Sequence, residues 1–384
     1  MHRSDSIGDK HVFNSVTTTL ACTLFLTLTT FITDLAMAQE HTPHQTNQTT
    51  TSPKWLTFPG SKDQAPGHGR RIVLLAGDEE YRSEEAMPLL GRILSHELGF
   101  ECVVLFSQDD SGEINPENLH NIPGLQLIDD ADLLVVFLRF RELPDDDMAH
   151  IVDYINSGKP VIAYRTATHA FNYRKNRDSP YANWTYNSQD PQGGFGGHIL
   201  GETWVAHHGH HGHEATRGVI PVDAKDHPIV RGADDIFGPT DVYAVGSLPK
   251  DATVLVRGAI LEGMNPDDQP VADKRNDPMM PIAWIRERPM PDGSKQRIFV
   301  TTMGTAEDFS SAGLRRLSAN AALWCVGQED QIPPQGVRAD SIGPWEPTAF
   351  GFSGHRKGNY KPDDFRDGSP WAENPASKPN NGSS

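Results

Sequence analysis

Arg71–Ala76 (RIVLLA), Leu133–Leu138 (LLVVFL) and Lys159–Arg165 (KPVIAYR) decide the fold. Each is a run of Val, Ile, Leu and Ala with little or no polar alternation. Strands with one wet face alternate, so unbroken runs of this length read as strands buried on both faces. Glu101–Phe106 and Arg297–Thr302 read the same way. Helix-period segments lie over Glu84–Leu98, Asp145–Ser157 and Leu314–Val326. The second carries Met148, Ile151, Val152 and Ile155 on one face; the third carries Leu314, Leu317, Ala321 and Trp324. Strands alternating with helices predict an α/β fold with a doubly wound, mostly parallel sheet and long loop insertions. Shorter strand signals at 218–222, 241–245, 253–256 and 280–284 fall in a loop-rich middle section, 171–280.

Outward from these runs the chain changes character. The 384 residues include 34 glycines and 29 prolines, so loops are plentiful. The periodic part, 69–330, reads as one α/β domain, followed by a Pro-rich extended tail, 331–384, whose aromatics Trp345, Phe350, Phe352 and Tyr360 suggest that its first half packs along the domain. Residues 39–68 are polar and read as a disordered linker. Before them, Arg3 and Lys10 precede an uncharged apolar and threonine-rich run, Val16–Ile32, and Ala36-Met37-Ala38 offers a small-x-small cleavage site. That is a signal peptide over 1–38, so the mature chain is expected in the periplasm or outside the cell, without stable membrane insertion. Net charge is -17, from 51 acidic against 34 basic residues, which excludes the basic footprint of a nucleic-acid binder. Cys102 and Cys325 sit among apolar neighbours and read as inert buried thiols.

In open α/β sheets the site lies at the carboxyl ends of the strands. After the first run come Asp78, Glu79 and Glu80, candidates for acid and base, then Tyr81 and Arg82 as ligand contacts. After the third comes Arg139-Phe140-Arg141, and after the fourth Arg165 and His169, the latter another candidate acid or base; Asp308 follows the last strand. Arg139 and Arg165 are candidates for stabilising an oxyanion. Replacing Arg165 is expected to weaken ligand binding with little loss of stability. Glu202–Glu214 (ETWVAHHGHHGHE) holds five histidines in seven residues. His207, His208 and His211 are candidate ligands for a transition metal such as Zn, and His207 is equally a candidate acid/base. Glycines 209 and 212 favour a loop over a helix there. Trp204, Trp184 and Tyr81 are stacking candidates, and Glu202, Asp241, Asp308, Arg82 and Arg141 complete the candidate binding set. HExxH, GxSxG, Walker A and GxGxxG patterns are all absent from the positions their chemistries need.

RIVLLAGDEEYRSEE, ADLLVVFLRFRELPDD, GKPVIAYRTATHAF, DHPIVRGADDIFGPTDVY and PIAWIRE followed by RIFVTTMGTAEDFSSAGLRRLSANAALWCVGQED resemble the ThuA-like (trehalose-utilisation) family of the class I glutamine amidotransferase-like fold. The glycine- and histidine-rich block and the tail resemble a secreted, planctomycete-type branch. The resemblance implies a flavodoxin-like sandwich and a link to sugar metabolism. It does not carry an amidotransferase activity, because Tyr164-Arg165-Thr166 stands where those enzymes have their cysteine. Histidines that many ThuA-like proteins carry at that turn and in the last strand loop are Arg165 and Thr305 here, so neither role transfers. Three readings follow: an enzyme acting on a sugar or keto-sugar by acid/base chemistry, a non-catalytic glycan- or small-ligand-binding module, and a metal-binding structural protein. A small carbohydrate is the expected partner, and homo-oligomerisation stays open.

Overall fold

The computed structural model describes residues 53–60, 63–340, 345–355 and 360–369. The expected signal peptide, most of the expected linker and the end of the tail lie outside the described residues. In chain order the strands and α-helices are β1 (Leu56–Phe58), β2 (Arg71–Gly77), α1 (Ser83–Leu98), β3 (Glu101–Phe106), β4 (Leu133–Leu138), α2 (Asp145–Asn156) and β5 (Val161–Tyr164). There follow β6 (Thr216–Val219), β7 (Phe237–Gly238), β8 (Ala252–Ile260), β9 (Met280–Pro289), β10 (Lys295–Thr301) and α3 (Ala312–Cys325).

All the strands join one sheet in the order β1-β3-β2-β4-β5-β10-β9-β8-β6-β7. Its centre is parallel: Ile72 pairs with Cys102 on one side and Leu133 on the other, Val135 with Ile162, and Val161 with Ile298. β1 and the run from β9 to β7 extend this centre antiparallel on its two flanks. Side chains of the central strands alternate between two cores, as strand geometry requires. Ile72, Leu74 and Ala76 face α1 and α3, while Val73 and Leu75 face α2. Both faces being covered, the apolar runs carry no alternation. No helix among the described residues is long and apolar enough to cross a membrane.

The caps follow from sequence. Ser311 accepts the Leu314 N–H at 3.2 Å at the start of α3, and Gly99, at φ 81, closes α1 in the left-handed conformation that glycine tolerates. Two expectations are corrected. Leu56–Phe58, inside the segment expected to be a disordered linker, is a strand whose Leu56 and Phe58 are buried. It was missed because three residues are too short to show a period. Asp241–Val245 is not a strand and makes only an isolated bridge, Tyr243 to His207. The tail packs along the domain as expected: Tyr360 and Phe365 are buried, and the Trp345 indole donates to Ala306 O at 3.1 Å.

Candidate active site

The carboxyl ends of β2, β4 and β5 bring their loops together, and the histidine turn closes over them. Asp78, directly after β2, is fully buried. Its Oδ1 accepts the N–H of Glu80 at 2.8 Å and that of Tyr81, and its Oδ2 accepts the Thr166 hydroxyl at 2.7 Å. Asp78 therefore shapes the turn and has no face toward a ligand. Glu79 accepts from Arg139 at 2.5 Å and from Arg141 at 2.9 Å. Burial, and then the adjacent Asp78 charge, raises its pKa against the pull of both arginines. Arg141, fully buried, also donates to Arg139 O, Ser107 Oγ and Asn118 O, so it holds loops. Arg82 does the same for the tail, donating to Ala349 O at 3.1 Å and to Gly351 O. Asp308 accepts from Thr240 Oγ1 at 2.8 Å and Gly304 N–H at 2.9 Å, and burial raises its pKa. Glu202 pins its own turn to Gly246 N–H and Thr203 N–H.

A second group lies behind the cleft. Arg165 follows β5 at φ 38, a left-handed position that is strained for a side chain with a Cβ. Its guanidinium lies between the rings of Tyr81 and Tyr243, 4.2 Å from each centroid. It donates to Asp241 Oδ1 at 3.0 Å and to Thr302 O at 2.8 Å. Arg165 is fully buried, so the expectation of a ligand contact with little structural weight is corrected: it is the central support of the site. Asp241 also accepts from His211 Nδ1 at 2.9 Å on Oδ1 and from His207 Nδ1 at 2.7 Å on Oδ2. Burial works to raise its pKa, but the two histidine hydrogen bonds and the Arg165 charge outweigh it and hold the carboxyl well below the usual range.

An ionised Asp241 can only accept, which fixes the neighbouring tautomers. Nδ1 of His207 carries a proton, and its Nε2 has no protein partner among the described residues. His211 is different, because its Nε2 lies 3.2 Å from Glu80 Oε1. With a carboxylate oxygen at each nitrogen its pKa rises to about 9, chiefly through the Asp241 and Glu80 hydrogen bonds. His169 is buried beside Phe140 and Trp204, with ring centroids 5.0 and 5.5 Å away. Burial, then the Arg139 and Arg165 charges, pushes it well below its ordinary value, so it stays neutral.

Glu80, Tyr81, Arg139, Phe140, His169, Trp204, His207 and Tyr243 line a cleft of about 40 Å³. At ~10–15 Å³ per enclosed water, that is room for about three waters. Phe140 and Tyr243 were absent from the candidate set. Asp241-Val242-Tyr243 held the signal for Tyr243, since alternate residues of an extended segment point the same way. Of the expected metal ligands, His208 turns away to Arg275 O at 2.9 Å. His207 and His211 converge, with Asp241 in place of His208, their ligand atoms within 4.8 Å of one another.

No family model matches the chain, and no curated protein matches it. Among solved structures, a protein described as thua-like from Bacteroides uniformis aligns over 72% of this chain and 99% of its own, at 14% identity and a TM-score of 0.44. Another so described, from Parabacteroides merdae, aligns over 71% and 97%, at 14% identity and a TM-score of 0.43.

Proposed function

We propose that this chain is an exported ThuA-like protein whose cleft moves a proton at the carbon beside the carbonyl of a sugar or keto-sugar. Its parallel strands, numbered as they appear, run 2-1-3-4-5 across the sheet, which is the flavodoxin-like order. The observation that carries the reading is the 2.7 Å hydrogen bond from His207 Nδ1 to the buried Asp241. A buried carboxylate behind an imidazole sets the tautomer and stabilises the imidazolium that forms. In this reading His207 Nε2 takes the proton from the C–H bond, and the electron pair moves onto the carbonyl oxygen as an enediolate. Arg139, lining the same cleft, stabilises the oxyanion. His207 then returns the proton to carbon. Trp204, Phe140 and Tyr243 offer the aromatic walls against which the C–H faces of sugars pack.

The test is deuterium exchange in D2O over a panel of aldoses and ketoses, followed by proton NMR. Loss of a C–H signal in wild type but not in His207→Ala supports the reading. Exchange that persists at the wild-type rate in His207→Ala rejects His207 as the base, and no exchange across the panel rejects the enzyme.

A transition metal on His207, His211 and Asp241 is the second reading, favoured by their grouping within 4.8 Å. Metal bonds of ~2.0–2.2 Å place tetrahedral ligands about 3.3 Å apart. The 2.7 and 2.9 Å contacts here are hydrogen-bond spacings, and Arg165 shares the same carboxylate. A metal bound through the two Nδ1 atoms would have to displace both their protons. Elemental analysis after dialysis separates the two: about one ion per chain, released in His207→Ala, favours the metal.

A further inference from the structure

Residues 345–355 cross the mouth of the site as a strap. The Thr348 N–H donates to Glu85 Oε2 and the Phe350 N–H to Glu307 Oε2, each at 2.8 Å, and the Gly351 N–H donates to Glu80 O at 2.8 Å. Arg82 binds two of the strap's carbonyls from beneath. Held in this way, the strap sets two aromatic rings against the site. Phe350 stacks on Tyr81 at 5.8 Å and lies 5.4 Å from the His211 ring. Phe352 lies over the Arg139 guanidinium at 4.8 Å, opposite Phe140 at the same distance. Phe350 is partly buried against the core, but Phe352 is 60% exposed.

The cleft's 40 Å³ is too small for a sugar ring, so a ligand of that size that puts its reacting carbon at His207 must continue past the rim. At the rim, beside the cleft's arginine, stands an anchored phenylalanine with most of its surface uncovered. We propose that Phe352 forms a rim subsite that receives the apolar C–H face of the part of the ligand that the cleft cannot hold. Arg139 meets the polar edge of the same ligand. This rests on the sugar reading above and adds a size rule to it: Phe352 selects ketoses of hexose size and matters less to a triose, which extends past the cleft by only a few atoms.

The experiment compares wild type, Phe352→Ala and Phe352→Trp on fructose and on dihydroxyacetone, with thermal melting to confirm folding. In the exchange assay, Phe352→Ala should raise the half-saturating fructose concentration about ten-fold, keep the maximal rate within about two-fold and change the dihydroxyacetone value by no more than about two-fold; Phe352→Trp should restore fructose. An unchanged fructose value, or equal losses for both ketoses, overturns the proposal. Calorimetric titration of the same ketoses reads the contrast without chemistry. If wild type exchanges no proton yet binds fructose more weakly as Phe352→Ala, the rim subsite stands and the acid–base reading falls. Absence of fructose binding by both methods overturns the subsite.

Discussion

The loop after β10 and the segment running from the histidine turn to Tyr243 each hold a buried aspartate, and each uses it differently. Asp308 accepts from backbone N–H groups and the Thr240 hydroxyl, none of which changes charge. Asp241 accepts from Arg165, His207 and His211, a permanent cation and two imidazoles. The first aspartate fixes a loop; the second sets the tautomer of one ring and the charge of another. Asp78 belongs with Asp308, because its acceptors are filled by two N–H groups and a threonine. Burial and residue type are shared by all three, so the partners alone distinguish scaffold from chemistry.

The sharpest way to break this contrast is kinetic. His207→Ala and Asp241→Asn should each slow exchange by roughly 10²–10⁴-fold, the usual contribution of a positioned base. Asp308→Asn should leave the rate of the folded fraction unchanged. A rate loss in Asp308→Asn as large as in Asp241→Asn would erase the distinction.

Stability comes next. Arg165→Ala leaves Asp241 buried without its permanent cation and opens the space between two tyrosines, so denaturant unfolding should show a loss of about 3–5 kcal/mol. Asp308→Asn should cost about 1–3 kcal/mol, through donors left poorly satisfied. Equal costs would mean that the Arg165–Asp241 pair is no more than another loop clamp.

A smaller effect concerns His211 and pH. The folded pKa of His211 is raised to about 9, against about 6.5 in the unfolded chain. Its contribution to stability is therefore fully present below about pH 6.5 and is lost as pH rises through about 9. Wild-type unfolding free energy should fall over that window, and His211→Gln should flatten the fall. An identical pH profile in the variant would remove the Glu80–His211–Asp241 chain from the account. The smallest effect is expected at His208, which binds Arg275 O away from the cleft. His208→Ala should leave exchange unchanged and shift stability by less than about 0.5 kcal/mol. A clear rate loss there would return His208 to the site.

The parallel centre of the sheet, the helices beside it and the loops that carry the site were all legible in the residues. Hydrophobic runs such as Leu133–Leu138 and stripes such as Met148–Ile155 are local properties, and burial on both faces or on one face writes itself into consecutive residues. Single-sequence reading also found Glu80, Arg139, His169, Trp204 and His207, because they directly follow strands or stand in a dense polar block. It could not rank them against Asp78, Arg82, Arg141, Glu202 and Asp308, which are the same residue types in the same loops but have their hydrogen bonds filled by scaffold. Phe352 gave no sign of its place beside Arg139, more than two hundred residues earlier in the chain. Which carboxylate holds which imidazole is set by contacts that span 34 residues from His207 to Asp241 and 76 from Arg165 to Asp241. An ionisable group takes its charge and tautomer from neighbours within a few ångströms, and only the folded chain decides who those neighbours are.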